Sequence, residues 1–282
     1  DEQYDKAITL YKNYLQKYGD GFFKINVHYY LGECLFNRGH QTDAMPHFEY
    51  VVQQPKNEFT EQSLVFASQV LMNYSQYDKA VPYLIQLETT AEQKPNVLYA
   101  RKSQVEAYSK MKEYQKLVDV VENFIVTEKV TDNDKRWANM CSAMAYDSLG
   151  DTTNALIKYR TVALEYVTAE GSEAKYRVAS ILFDQKNYAE AEKEILDFLE
   201  KSSSHQYWLG KSYILWARIF MARNELFQAR YTLQNVLQHY KIQDDGIIAE
   251  VNDTLDEITD MEMAAKAQET RSVELDMEGK NE

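Results

Sequence analysis

The pentapeptide Gln3-Tyr4-Asp5-Lys6-Ala7 recurs letter for letter as Gln76-Tyr77-Asp78-Lys79-Ala80. The spacing is two periods of a shorter frame. With the alanine as anchor, the equivalents are Ala7, Ala44, Ala80, Leu117, Ala155, Ala191 and Ala229, 36–38 residues apart. Three residues before the anchor stand Tyr4, Gln41, Tyr77, Tyr114, Thr152, Tyr188 and Leu226. Four after it stand Tyr11, Phe48, Leu84, Val121, Tyr159, Ile195 and Leu233, and seven after it Tyr14, Val51, Leu87, Phe124, Val162, Phe198 and Val236. Places at −3, 0, +4 and +7 draw one stripe along a helix. A unit this short cannot bury such a stripe alone, so its neighbours in the array must cover it.

A second helix is predicted ahead of the first in six of the seven units. Twelve before the anchor come Gly32, Ser68, Val105, Ala143, Ala179 and Ala217, which are mostly small. Nine before it come Leu35, Leu71, Tyr108, Tyr146, Leu182 and Phe220, all large. Small residues in both helices let the backbones approach, and large ones fill the flanks. Short polar turns such as Asn37-Arg38-Gly39-His40 and Gln185-Lys186-Asn187 have the length of antiparallel helical hairpins. Nine glycines and four prolines in 282 residues are few for a turn-rich β architecture.

These residues resemble the tetratricopeptide repeat. The clearest unit runs from His28 through Leu31-Gly32 and Leu35 to Ala44, Phe48 and Pro55, with the family's first aromatic position lost. The resemblance implies an all-α, right-handed superhelical solenoid of antiparallel helix pairs. Its expected divisions are a half-repeat over 1–18 and six full repeats to 243, then a capping helix over 244–265 and an acidic, frayed tail over 266–282. The cap rests on the stripe Ile247, Ile248, Val251, Leu255, Ile258 and Met261. Leu117, at a position otherwise small, is expected to loosen the fourth unit. Because the first unit enters with only its second helix, further repeats are expected upstream. The lengthened repeats, ending in phrases such as "LQKYGD", resemble those of bacterial envelope proteins: outer-membrane-assembly lipoproteins and Tol-Pal-associated periplasmic proteins.

The net charge of −13 is concentrated at one end. Residues 244–282 carry 13 acidic and 3 basic groups, which leaves the first 243 residues at only −3. A near-neutral body offers no electrostatic footprint for nucleic acid. No apolar run is long enough to span a membrane. Cys34 and Cys141 form no metal or disulfide framework and read as small packing residues.

No catalytic constellation, metal site or cofactor site is expected. Gly210-Lys211-Ser212 echoes the end of a phosphate-binding loop, but His205 stands where the loop needs glycine. The five histidines, His28, His40, His47, His205 and His239, lack ligand spacing and read as surface or packing residues. Carboxylate neighbours such as Glu192 and Glu194 read as solvated helix charges.

The expected function is therefore non-catalytic, a scaffold that binds a protein or peptide segment. In the family that segment lies in a concave groove lined by the first helix of each unit. Places −15, −11 and −8 share one face of that helix. They supply the candidate contact residues Tyr29, Glu33, Phe36, Val65, Gln69, Met72, Lys102, Glu106, Met140, Met144, Tyr176, Phe183 and Arg218, with Ser109, Asp147, Ser180, Ile214 and Met221 completing the set. Glu33, Gln69 and Glu106 replace the asparagine of the clamp by which some family members hold a C-terminal carboxylate. A partner held more by apolar and aromatic contacts than by charge is expected. The alternatives are a sensor segment of a signalling protein, or an accessory domain of an enzyme.

Overall fold

The computed structural model describes residues 2–201 and 204–278. Among them every regular element is helical. The chain divides into two units, residues 1–151 and 152–282. The first holds α1 (Glu2–Lys17), α2 (Lys24–Asn37), α3 (Gln41–Val52), α4 (Thr60–Asn73), α5 (Tyr77–Thr90), α6 (Lys94–Met111), α7 (Tyr114–Ile125) and α8 (Asp132–Ser148). The second holds α9 (Thr152–Ala163), α10 (Ala169–Asp184), α11 (Tyr188–Glu200), α12 (Gln206–Ala222), α13 (Leu226–His239) and α14 (Ile247–Glu278). Within each unit, consecutive helices pack as neighbours.

The frame read from the sequence is the core. Ala44, Ala80, Ala155, Ala191 and Ala229 are fully buried, as are Phe48, Leu84, Val121 and Leu233 one turn later. Gly32 shows why the −12 place is small. A Cβ there would stand 2.9 Å from the Phe48 ring. Leu117 does not open its unit: it is buried with Val105, Tyr108 and Phe124. In α1 the anchor Ala7 is only half-buried, and no residue of that helix is fully buried.

The turn inside each hairpin follows one rule that its residue types conceal. Five before the anchor stand Gly39, Ser75, Lys112, Gly150, Lys186 and Asn224, and all six have positive φ, between 56° and 82°. Only two are glycine, the residue that adopts this conformation without steric cost. In each hairpin the next backbone N–H reaches back to the −9 carbonyl, as from His40 to Leu35 at 2.9 Å and from Glu113 to Tyr108 at 3.0 Å. This bond closes the end of the first helix as a Schellman motif. The motif makes the left-handed residue necessary whatever its side chain.

Side chains one repeat apart then tie neighbours together. Arg38 pairs with Asp5 at 3.3 Å and Lys56 with Glu92 at 2.8 Å. Tyr83 donates to Glu49 at 3.2 Å, and Arg230 pairs with Glu262 at 2.9 Å.

At the C-terminal end Ile247, Val251 and Ile258 of α14 are buried against Ile214, Ala229 and Leu233. The side chains of 263–268 are exposed, yet helical backbone continues through the stretch expected to fray, as far as Glu278. Alanine, glutamate and glutamine there are strong helix formers, which carry a helix past its last buried residue. Residues 279–282 lie outside the described residues.

Candidate functional site

The candidate contact residues sit on the first helices as their spacing requires, but they differ sharply in access. Tyr29, Val65, Met140 and Ile214 are buried. Glu33, Phe36, Gln69, Met72, Tyr176, Phe183 and Arg218 are half-buried, and Lys102, Glu106 and Met144 are exposed.

The burial has a positional cause. In three repeats the −15 side chain meets the −21 side chain of the next, near the start of the following first helix. Tyr29 stacks on Phe59 with centroids 4.6 Å apart. Lys102 pairs with Asp134 at 2.6 Å. Tyr176 lies 5.5 Å from Trp208. The Tyr29–Phe59 pair buries its tyrosine, the Tyr176–Trp208 pair stays half-buried, and the charged pair leaves Lys102 exposed. The −15 row is thus a seam between repeats. Phe36 packs across a repeat boundary in the same way against Phe66 at 4.8 Å, whereas Phe183 packs inside its own hairpin against Tyr188 at 5.4 Å.

One part of this face remains open. Between α6 and α8 lies a cavity of about 440 Å³ lined by Lys102, Glu106, Ser109, Lys110, Asp134 and Trp137. Its two ends are fixed from the backbone upward. Thr131 caps α8 by accepting from the Asp134 N–H at 3.1 Å, and its hydroxyl donates to the Asp134 carboxylate at 2.8 Å. This reciprocal cap aims the carboxylate at Lys102. The Lys102 ammonium holds the Asp134 carboxyl below its ordinary range, and the Thr131 bonds act in the same sense. Trp137 is anchored edge-on to Phe124 at 6.3 Å. The cleft therefore offers two cations, two anions and an aromatic face to whatever enters it.

In the second unit the corresponding region is more closed. Lys211 stands 5.6 Å over the Tyr176 ring and bonds Glu250 at 2.7 Å, and Arg218 reaches Glu250 at 3.7 Å. Lys211 is thus committed to a carboxylate within an α-helix, not to a phosphate-binding loop.

Trp137, Asp134 and Trp208 were not among the candidates drawn from the sequence. They stand at −18 and −21, one and two turns further along the same helical face. Extending the stripe toward the helix start would have found them. The histidines also hold a surprise: His28 and His47 approach to 3.0 Å between their Nδ1 atoms. Among the described residues no group of three His, Cys, Asp or Glu could hold a metal ion, and no helix is long and apolar enough to cross a membrane.

No protein-family model matches this sequence, and no curated protein does. Solved structures do. The structure of Naa15/Naa10 bound to HypK-THB contains a chain that aligns with a TM-score of 0.58 at 15% identity, over 94% of this chain and 40% of that one. A tetratricopeptide repeat protein from Parabacteroides merdae aligns over 92% of this chain and 100% of its own, with a TM-score of 0.41 at 13% identity. MamA from Desulfovibrio magneticus RS-1 aligns over 63% of this chain and 94% of its own, with a TM-score of 0.45 at 15% identity. At 15% identity the first of these likenesses is one of fold alone. The chain is built of consecutive antiparallel helix pairs in the tetratricopeptide-type repeat fold.

Proposed function

We propose that this chain is a non-catalytic scaffold that binds a protein segment on its first-helix face, in the cleft between α6 and α8. The observation that carries this reading is the cleft itself. It falls on Lys102 and Glu106, which the repeat frame selects independently of any structure, and it keeps both accessible while the aromatic seam positions are filled. Mixed charge beside a tryptophan suits a short peptide with a charged residue next to an apolar one. Such a partner is more polar than the apolar stripe alone suggests. The resemblance of the lengthened repeats to bacterial envelope proteins supports a setting in the cell envelope.

A displayed random-peptide library selected on the whole chain tests the site. Peptides that bind should lose at least about tenfold in affinity to Lys102→Glu and to Trp137→Ala, with the fold intact by circular dichroism. Selected peptides that bind these variants as well as the parent would place the binding surface elsewhere.

A further inference from the structure

The two helices of a repeat also face each other across an inner seam, sixteen residues before the anchor and six after it. Three earlier repeats close this seam, each in its own way. His28 and Tyr50 stack with centroids 3.9 Å apart. Arg101 donates to the Asn123 carbonyl at 3.2 Å. Lys175 and Asp197 form an ion pair. In the last repeat the same two places hold Tyr213 and Asn235, and there the seam is open. Two cavities, of about 370 Å³ and 350 Å³, share these two residues and run end to end between α12 and α13.

The last repeat also departs from the others in what borders its seam. Trp216 and Phe220 line it from α12, and Phe227 and Tyr231 from α13. The α13 pair stands at −2 and +2, where none of the other six repeats has an aromatic residue. Phe227 is 79% exposed and Tyr231 63%. Packing explains Trp216, whose indole N–H donates to Glu192 at 3.0 Å. It does not explain two large rings standing in water. A local break with the repeat pattern that gives no packing gain marks a functional surface.

The chemistry of the trough identifies its occupant. No lysine, arginine, aspartate or glutamate lines either cavity. His239 is the ionisable side chain among the lining residues that can carry positive charge, and a trough without fixed charge matches an uncharged ligand. Amides of Gln206, Gln228 and Asn235 and hydroxyls of Tyr213 and Tyr231 are spaced along it. Their N–H and O–H groups can donate to backbone carbonyls that a ligand leaves free. A helical ligand has its carbonyls committed internally. A polyproline II segment leaves every carbonyl free of internal hydrogen bonds and presents compact apolar rings that pack on aromatic faces. From Gln206 to Phe220 the trough follows about 21 Å of helix, the length of about seven residues of polyproline II.

We infer that the α12–α13 seam of the last repeat is a binding site for an uncharged, proline-rich peptide segment. It shares no residue with the cleft between α6 and α8, so either site can fail without the other. The test is titration of the whole chain with acetylated, amidated octaproline, followed by calorimetry and tryptophan fluorescence. Saturable binding is expected, little changed by about 0.5 M salt because no ion pair is involved. The Phe227→Ser/Tyr231→Ser double variant should bind at least about tenfold more weakly at an unchanged melting temperature, while Lys102→Glu should bind as the parent does. If the double variant melts lower, Asn235→Asp, which places a charge in the trough from an exposed position, must give the same loss. Absence of saturable binding, equal binding by parent and variants, or tighter binding of an amphipathic helical peptide would overturn the assignment.

Discussion

Tyr29 and Lys102 occupy the same place in two repeats of the first unit, yet one is core and the other is surface. Each reaches the −21 residue of the next repeat, Phe59 in the first case and Asp134 in the second. The backbone frame decides where the side chain goes. The chemistry of a residue some thirty positions downstream decides whether water follows it. In a repeat fold, position alone does not tell a binding residue from a packing residue, because the deciding partner belongs to another unit.

The largest expected effect tests this pair of places directly. Tyr29→Ala removes a buried ring from a stacked pair and should cost about 3 kcal/mol of unfolding free energy. Lys102→Ala breaks an ion pair that is half open to solvent and should cost no more than about 1 kcal/mol. Urea melts of both variants give the comparison. Equal losses would mean that the two seams are energetically alike and that burial is a poor guide to them.

The anchors allow a second comparison. Ala80 is fully buried beside Leu71 and Leu84, whereas Leu117 fills the equivalent place in the next repeat without exposure. Ala80→Leu and Ala191→Leu should each overpack a fitted site and cost about 2 kcal/mol. A thermal melt unchanged for both would show that the helix contact accepts leucine wherever it falls, as it does at Leu117.

The inner seams should fail at different pH. Burial lowers the His28 pKa from 6.5 to about 4, and His47 and Lys24 push it the same way. Burial also lowers His47, with Lys12 acting in the same sense and Asp43 opposing. A contact between two Nδ1 atoms accommodates one proton, not two. The unfolded chain takes up protons that the folded pair refuses, so its contribution is complete above pH 6.5 and is lost as pH falls toward 4. Bonds from Lys175 and Lys201 lower the Asp197 pKa below 3.8, so that seam keeps its contribution down to more acid pH. The melting temperature should therefore begin to drop between pH 6.5 and 4, and His28→Phe should flatten that drop while leaving the later one. A His28→Phe profile parallel to the parent's would remove the histidine pair as the cause.

The smallest effect concerns the turns. Lys112 adopts φ 58° where Gly39 and Gly150 serve in other repeats. Lys112→Gly should stabilise the chain by roughly 0.5–1 kcal/mol, since the strain relieved exceeds the flexibility gained by the unfolded chain. Gly39→Ala should do the reverse, and calorimetric melts of the two variants measure both signs.

The parts of this fold that read directly from the sequence are those set by local spacing. Ala80, Leu84 and Leu87 declare a buried stripe by their intervals alone, and Gly32 declares a close approach by its size. The left-handed turns were harder to see. Lys112 and Lys186 give no local hint of positive φ, and only their alignment with Gly39 and Gly150 reveals it. Hardest were the sites whose character depends on contact between repeats. Tyr29 looks like a binding anchor until Phe59 is placed beside it, and Trp137 escapes notice until α8 is laid against α6. The lapse of the apolar stripe after 265 predicts fraying and gives no sign of the helical backbone that runs to Glu278. Periodicity reports burial, and it is silent on helix that nothing covers.

The variety of the seams bears on how such a chain avoids folding wrongly. Seven similar units could in principle stack with one skipped, since each offers much the same stripe to any other. Skipping one unit would bring Tyr29 against Asn96 in place of Phe59, leaving an aromatic ring without its partner. Displacing Asp134 from Lys102 would strand a carboxylate whose ionised form the lysine stabilises. Each such pair is therefore a key that only its own neighbour fits, and part of the order of the repeats is written in side chains that the average repeat does not show.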